Sequence, residues 1–230
     1  MPAPERPPAV AQQRFAARRS EFAGLDLGQR FRHIHATNLW GADTSVSGLG
    51  SELAATAAIR ERLPGLLRDI GARSLLDAPC GDHRWMATVE LSVDRYVGID
   101  IVPEIVTENA ARHADAPGKS FRQADLTRDP LPRCDLILSR DCLVHFSFAT
   151  FARAIANMKA SGATWLLTTT FPELRHNLDI EDADWRPLNL QRAPFNWPAP
   201  VEIVNERCLE AGGAYADKSL ALWRLDEVRE

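Results

Sequence analysis

The stretch that decides the fold runs from Ser74 to Trp85 and reads SLLDAPCGDHRW. It begins with a short apolar run of the kind found in parallel strands that are buried on both faces. The loop that follows stands where open α/β sheets bind nucleotides, beyond the carboxyl end of the first strand. Pro79 and His83 occupy positions where such loops usually carry glycine. Because a pyrophosphate needs close backbone approach at several glycines, the loop disfavours a nicotinamide dinucleotide.

Further short apolar segments alternate with amphipathic helices along the rest of the chain. A helix is expected to start at Pro103, and Ser147 is expected to cap another that ends at Gly162. The last two segments are joined by a loop too short for a crossover helix, which predicts an antiparallel hairpin. The pattern therefore predicts a doubly wound, mainly parallel seven-stranded α/β sheet. Its predicted strands are residues 74–79, 95–100, 121–125, 135–139, 163–171, 201–208 and 219–225.

Three regions are predicted along the chain. Residues 1–10 carry four prolines and almost nothing that could be buried, which favours a disordered tail. Residues 11–70 are expected to form a helical and loop cap, with a surface helix over 12–22 and helical material from Ser51 to Ile70. Pro64 is expected to kink or restart that second helix, so that one helix or two remains open. Residues 71–230 form the predicted core.

The composition narrows the classes of partner. The 230 residues are 45% hydrophobic and carry a net charge of −4 with no run of Lys or Arg, which argues against nucleic acid as the main partner. No apolar run is long enough to span a bilayer, and the first ten residues lack the apolar core of a secretion signal. A cytoplasmic protein with no membrane partner is therefore expected. Its four widely spaced cysteines indicate reduced thiols.

Four aspartates stand at or just beyond the ends of four successive predicted strands. They are Asp77, Asp100, Asp125 and Asp141. Ligands of open α/β sheets lie at this edge, so the set predicts a binding site, although a single such aspartate often only caps the next helix.

The segment from Ser74 to Phe171, with the hairpin that follows, resembles the Rossmann-like (class I) methyltransferases that use S-adenosylmethionine (SAM). The resemblance rests on LLDAPCGDHRWM, YVGIDIVPE, SRDCLVHF and TTTF, and a bacterial small-domain subgroup shares this narrower pattern. It implies that Asp77 and Gly81 form the first cofactor motif, that Asp100 binds the ribose hydroxyls and that Asp125 reaches the adenine amine. SAM carries a sulfonium and an ammonium but no phosphate, which makes acidic residues favourable and a full glycine set dispensable.

Further cofactor contacts are implied next to these positions and in the glycine-rich loop NLWGADTSVSGLGS. The implied residues are Pro79, Cys80, Ile101, Leu126 and Arg140, together with Trp40 and Ser51 of that loop.

Two residues after the fourth strand are the catalytic candidates. A hydroxyl or ammonium acceptor must lose a proton, and His145 is the preferred general base because its ordinary pKa is nearest neutrality. Asp141 is the second candidate. A buried, hydrogen-bonded structural role for His145 and a capping role for Asp141 remain open. A metal site formed by His145, His176, Asp179 and Asp82 is disfavoured, because these residues do not have the sequence spacing typical of metal ligands.

Residues 172–200 contain five prolines, which forbid a long helix. The aromatic and polar residues among them favour a lid over a polar acceptor, while an apolar cover for the sheet is the alternative. The substrate-contact candidates are Arg186, Asn189, Phe195 and Trp197.

The sequence thus predicts a SAM-dependent methyltransferase that acts on a small polar molecule or a glycan building block, most readily at oxygen. A catalytically silent SAM-binding module and a nicotinamide oxidoreductase are the alternatives.

Overall fold

The computed structural model describes residues 6–230, and a seven-stranded sheet forms its centre. The strand order is β3-β2-β1-β4-β5-β7-β6. Neighbouring strands from β3 to β5 are parallel, whereas β7 is antiparallel to both β5 and β6. The predicted fold class is confirmed. The strands are β1 (Ser74–Asp77), β2 (Arg95–Asp100), β3 (Lys119–Gln123), β4 (Leu136–Ser139), β5 (Trp165–Thr170), β6 (Glu202–Asn205) and β7 (Ser219–Arg224).

Successive residues of the central strands enter two different cores because side chains alternate across a sheet. In β1, Leu75 belongs to the core on one face and Leu76 to the core on the other. Leu136 and Ile137 of β4 divide in the same way. The continuous apolar runs in the sequence therefore correspond to strands covered on both faces.

Five α-helices of nine residues or more surround the sheet within residues 6–230, and a four-residue helical turn, Glu210–Gly213, lies in the hairpin. A capping box at Asp26 starts α2, Pro103 occupies the first turn of α4, and the Ser147 hydroxyl accepts from the Thr150 amide at the start of α5. The helix start predicted at Pro103 and the cap predicted at Ser147 are thus observed. The helices are α1 (Val10–Arg18), α2 (Leu27–Ala36), α3 (Ala57–Asp69), α4 (Pro103–Arg112) and α5 (Phe148–Ala160).

Helix α3 begins later than the sequence predicts. Ser51 lies in a 3-10 turn, Leu49–Ser51, and the helix starts at Ala57. Pro64 lies inside a single helix and does not divide it. Gly71 follows the helix with a φ of +66°, a left-handed conformation in which glycine avoids the steric clash that a Cβ atom would cause.

The residues just before α1 are packed against the C-terminal part of the chain. Arg6 forms an ion pair with Asp217 at 2.9 Å, and the Tyr215 hydroxyl donates to the Pro7 carbonyl at 2.7 Å. Ala9 is 1% exposed. The sequence predicts a disordered tail over residues 1–10, but the chain is ordered from residue 6, because single apolar and cationic side chains contact residues that are distant in sequence. Residues 1–5 lie outside the described range.

Starting the chain at residue 10 is expected to lower the free energy of unfolding by about 1 kcal/mol, through loss of these contacts. Chemical denaturation of the two forms measures the difference. Arg6→Ala in the full chain isolates the ion pair, and an unchanged denaturation midpoint in the truncated form would contradict the packing described here.

Residues 172–200 contain neither a helix nor a strand and form a layer against the core. The Phe195 ring lies 4.3 Å from Phe151 of α5, and the Trp197 ring lies 5.1 Å from Trp223 of β7. All four of these side chains are buried. Phe195 and Trp197 therefore cover the sheet, which is the alternative interpretation of this segment, and these two rings are not presented to an acceptor.

Candidate methyl-transfer site

A cavity of about 1030 Å³, counted with its solvent-open part, lies at the carboxyl ends of the parallel strands. The predicted strand-end aspartates meet there because β1, β2 and β4 are neighbours that point the same way. All of the predicted cofactor residues line it, together with both catalytic candidates: Trp40, Ser51, Asp77, Pro79, Cys80, Gly81, Asp100, Ile101, Asp125, Leu126, Arg140, Asp141 and His145.

The loop after β1 is held by close backbone packing. Gly81 has a φ of +51°, and a Cβ there would come within 2.4 Å of the Ser47 hydroxyl. The same hydroxyl accepts from the Asp82 amide at 2.9 Å. Gly81 is therefore needed both for its conformation and for the approach of the loop that carries Trp40 and Ser47.

His83 shows how this loop forms without its usual glycines. Its φ is +57°, a conformation that glycine adopts more readily, and its side chain is fully buried. Its Nδ1 lies 3.0 Å from Nε2 of His113, and its ring packs edge-on against Phe121. Burial lowers the pKa of His83 to about 3, so the ring is neutral at pH 7. His83 thus anchors the loop from behind, outside the cavity lining.

Asp77 and Asp100 are both buried at the cavity wall. Burial raises the pKa of Asp77 to about 7, although a hydrogen bond from the Tyr96 hydroxyl acts in the opposite direction. Burial also raises the pKa of Asp100 to about 6. The Asp100 carboxylate accepts from the amides of Gly81 at 3.1 Å and Val102 at 2.9 Å, which fixes its orientation.

Asp125 is oriented by its own turn. Its Oδ1 accepts from the amide of Thr127 at 2.9 Å and from the Thr127 hydroxyl at 2.6 Å. Its Oδ2 lies 3.3 Å from the guanidinium of Arg128, which is largely exposed. One carboxylate oxygen is therefore used by the turn, and the other faces only a solvated partner.

A cluster of four charges lies between β4 and the hairpin, with Arg140, Glu206 and Lys218 buried and Asp141 partly exposed to the cavity. Arg140 Nε donates to Glu206 at 2.6 Å, and Lys218 Nζ donates to Asp141 at 2.6 Å. Lys218 also lies 3.4 Å from Glu206, and Arg140 lies 3.3 Å from Asp141. Burial alone would raise the pKa of Asp141, but Lys218 and Arg140 hold it well below its usual range. Asp141 is therefore ionised at neutral pH and is a poor proton acceptor.

His145 has a fixed orientation. Its Nδ1 lies 2.8 Å from the Asp184 carbonyl, which can only accept, so Nδ1 carries the proton and Nε2 the lone pair. Trp40 stacks on the ring at 4.8 Å. Burial lowers the pKa of His145 to about 4, against the opposing effects of the Asp184 hydrogen bond and the Asp141 charge. Within residues 6–230, no group hydrogen-bonds to Nε2.

The four predicted substrate contacts lie away from this cavity. Arg186 donates to the carbonyls of Leu143 and Phe146, and Asn189 donates to those of Pro172 and Leu174. The donors of Arg186 and Asn189 thus pair with backbone carbonyls that lie outside the sheet. The side chains of Phe195 and Trp197 are buried in the core. The substrate assignment of Arg186, Asn189, Phe195 and Trp197 is therefore corrected to a structural one.

Several cavity residues were not selected from the sequence. Phe31 and His35 come from α2, and Ser47, Asp82 and Trp85 from the two loops. Asp82 and Trp85 lie within the diagnostic stretch and could have been selected, whereas nothing local marks Phe31 or His35. Across residues 6–230, no three His, Cys, Asp or Glu side chains are grouped so as to hold a metal ion. None of the helices in this range has the length and hydropathy of a membrane-spanning segment.

Comparisons with known proteins agree with this geometry. A family model described as a methyltransferase domain matches residues 76–164. No curated protein matches the chain.

Solved structures of methyltransferases have a similar fold. The 1,6-didemethyltoxoflavin-N1-methyltransferase of Burkholderia thailandensis is 20% identical over 96% of this chain and 93% of its own, with a TM-score of 0.57. The N-methyltransferase NodS of Bradyrhizobium japonicum WM9 is 15% identical over 85% and 98%, with a TM-score of 0.59. The magnesium protoporphyrin IX methyltransferase of Synechocystis PCC 6803 is 15% identical over 90% and 99%, with a TM-score of 0.55.

The chain therefore contains a segment, residues 76–164, that matches a methyltransferase domain, and its seven-stranded sheet with a terminal antiparallel hairpin has the fold of these solved methyltransferases.

Proposed function

We propose that the protein transfers the methyl group of SAM to a hydroxyl oxygen of a small polar molecule or glycan building block. The observation that carries the proposal is the neutral, oriented His145 with its Nε2 lone pair available at the cavity. An amine is already nucleophilic, whereas a hydroxyl gains most from a base that removes its proton as the new bond forms. The net charge of −4 and the absence of a basic run support a small acceptor over nucleic acid.

The residues of the cavity fit SAM. Asp100 is oriented by two backbone amides and has lone pairs left for the ribose hydroxyls. Asp125 is assigned to the adenine amine, which would donate to Oδ2, the carboxylate oxygen that its own turn does not use. The Asp82 Oδ2 is buried without a hydrogen-bond partner within residues 6–230, and its charged neighbour is the exposed guanidinium of Arg84 at 3.6 Å. Asp82 lines the cavity beside Gly81, and we assign it to the ammonium of SAM. When bound, SAM supplies a methyl group activated by the positive sulfonium.

His145 and Asp141 then have separate functions in this proposal. His145 receives the acceptor proton at Nε2, and the Asp184 carbonyl holds its ring in the required tautomer. Asp141 remains an ionised carboxylate held by Lys218, and it orients the acceptor hydroxyl or stabilises the charge that develops on His145. Most of the rate enhancement is expected from the in-line placement of the acceptor next to the methyl group.

SAM binding is expected to strengthen as the pH rises from about 5 to about 8. Burial raises the pKa of Asp77 to about 7 and that of Asp100 to about 6, so the ligand-free protein loses stability as pH rises through these values. The cation of SAM favours the ionised carboxylates and offsets that loss. The increase in melting temperature on adding SAM should therefore be larger at the higher pH.

S-adenosylhomocysteine lacks the sulfonium charge and serves as the control for this pH effect. Its stabilising effect should depend less on pH. Equal pH dependence for the two compounds would contradict a contribution from the sulfonium charge, and no pH dependence for either would contradict the raised pKa values.

Two measurements test the proposed function. Calorimetric titration with SAM, S-adenosylhomocysteine and NAD should show binding of the first two only. Incubation with SAM and fractionated metabolites should then release S-adenosylhomocysteine in step with a methylated hydroxyl compound. Binding without turnover on any fraction would favour a silent SAM-binding module, and a methylated nitrogen in the product would contradict the choice of oxygen.

A further inference from the structure

We propose that a second cavity, beyond Trp40 and His145, is the acceptor pocket, and that it takes flat ring compounds with an ionisable hydroxyl, namely phenols and enolic heteroaromatics, in preference to sugars. This inference rests on the proposed methyl transfer to oxygen and specifies its acceptor. The second cavity measures about 600 Å³ with its solvent-open part. It shares Trp40, Ser47, Asp141 and His145 with the first cavity, so an acceptor there meets the methyl group at His145.

The walls of this second cavity are rich in aromatic rings. Trp40, Phe171, Trp185 and Tyr215 all line it. Trp185 and Tyr215 stand edge to face at 5.2 Å, and Phe171 lies 5.9 Å from Trp185, so the three rings support one another. Aromatic side chains provide flat apolar area on which another ring stacks.

The charges around the second cavity disfavour a phosphorylated or carboxylated acceptor. Among the described residues that line the second cavity, Lys218 is the cationic side chain, and its charge is already neutralised by Asp141 and Glu206. Glu210 also lines the cavity and adds a negative charge. A phosphate would therefore meet carboxylates without a free cation to pair with. This arrangement disfavours nucleotide-activated sugars, the usual charged form of a glycan building block.

The chemistry of His145 favours an acidic hydroxyl. Burial lowers its pKa to about 4, which makes it a weak base that is nevertheless unprotonated at neutral pH. Proton transfer to so weak a base costs less from a phenol or enol than from an aliphatic alcohol, whose pKa is several units higher, and it becomes favourable only as the oxygen forms its bond to the methyl carbon. In the proposed step the bond from oxygen to the methyl carbon forms as the bond from sulfur to that carbon breaks. The electron pair of the broken bond stays on sulfur, the hydroxyl proton passes to Nε2, and His145 then releases it to water.

An isosteric pair of coumarins and a sugar test the acceptor class. With SAM present, 7-hydroxycoumarin should be methylated at oxygen, whereas 7-aminocoumarin and methyl α-glucopyranoside should not. Release of S-adenosylhomocysteine and mass spectrometry of the product provide the readout, with each probe at about 1 mM, within the range of weak small-molecule affinities. The class is overturned if 7-hydroxycoumarin stays unmethylated, or if either other probe is methylated in its place.

Variants that fill the cavity test its location. Ala11→Trp and Leu49→Trp each add volume at its lining, and Leu49 is 38% exposed, so the second change does not disturb the core. Each is expected to lower kcat/KM for 7-hydroxycoumarin by about 10-fold or more with SAM affinity unchanged. Ala17→Trp, at an exposed position of the same helix as Ala11, is the matched control. Unchanged kcat/KM in both filled variants would overturn the pocket assignment.

Different results would contradict the proposed methyl transfer and the proposed acceptor class. If the protein does not bind SAM, or binds it without methylating any acceptor, the proposed function itself is wrong. If it methylates a sugar hydroxyl from the metabolite fractions and none of the flat probes, the proposed function stands and the acceptor class is wrong.

Discussion

Replacing His145 with asparagine is expected to lower kcat by about 100-fold while SAM affinity and melting temperature remain nearly unchanged. The asparagine amide can replace Nδ1 as the donor to the Asp184 carbonyl, so the structural hydrogen bond survives. What disappears is the Nε2 lone pair at the junction of the two cavities. The variant therefore separates the chemical role of the imidazole from its structural role.

The control for this variant is His176→Asn, which changes an exposed histidine outside both cavities and should leave all three quantities unchanged. If His145 is only structural, its replacement should reduce the free energy of unfolding by about 1 to 3 kcal/mol, and activity should fall only in step with the folded fraction. Full activity in a stable variant would contradict both roles.

The pH profile of the unmodified enzyme provides an independent check on His145. Because its pKa is lowered to about 4, the ring is neutral over the physiological range. Any inflection in kcat from this residue should therefore lie near the acid limit of folding, with activity lost as the pH falls through that value. An inflection near pH 6.5, the ordinary pKa of histidine, that is present in the unmodified enzyme and absent in His145→Asn would contradict the burial-driven shift.

Replacing Asp100 with alanine is expected to weaken SAM binding by about 30-fold, or roughly 2 kcal/mol. The carboxylate is held by the amides of Gly81 and Val102 at the end of β2, where it can accept from both ribose hydroxyls at once. Its removal leaves those hydroxyls without a charged acceptor in a buried site. Isothermal titration with SAM and with S-adenosylhomocysteine measures the loss, which should be similar for both compounds because both carry the ribose.

Asp115→Ala is the matched control for Asp100→Ala, since Asp115 is an exposed aspartate outside the cavity lining. It should leave the affinity for both compounds unchanged. The melting temperature of the ligand-free Asp100→Ala variant is a second control. Burial raises the pKa of the Asp100 carboxyl to about 6, so its ionised form lowers the stability of the folded protein at neutral pH. Unchanged affinity in Asp100→Ala would remove this residue from the site.

Local sequence determined the sheet and one side of the site. The runs at β1, β2, β4 and β5 are apolar on both faces, and no other common structure suits such short runs between amphipathic helices. Strand direction then places the residues that follow each strand at one edge, so the meeting of Asp77, Asp100 and Asp141 followed from their positions in the sequence. The same logic supplied His145, which lies one short turn beyond β4.

Tertiary structure decided what lies against that edge. Residues 172–200 have the aromatic and polar composition of a ligand-contacting lid. Phe195 and Trp197 of this segment are nevertheless buried against Phe151 and Trp223, where they cover the core on that face of the sheet. Composition shows only that an aromatic side chain will be buried, not whether protein or ligand will cover it.

The second cavity and the N-terminal contacts depended wholly on long-range packing. Lys218 reaches Asp141 from 77 residues away, and Arg6 reaches Asp217 from 211 residues away. Such pairs are set by the geometry of the folded sheet and its hairpin, and no periodicity or motif near either partner reports them. The sequence by itself therefore determined the fold and the edge that would bind SAM, because local apolar runs and strand direction suffice for both. Only the tertiary structure decided the tautomer of His145, the ionisation of Asp141 and the walls of the acceptor pocket, because each depends on groups that are distant in sequence and adjacent only after folding.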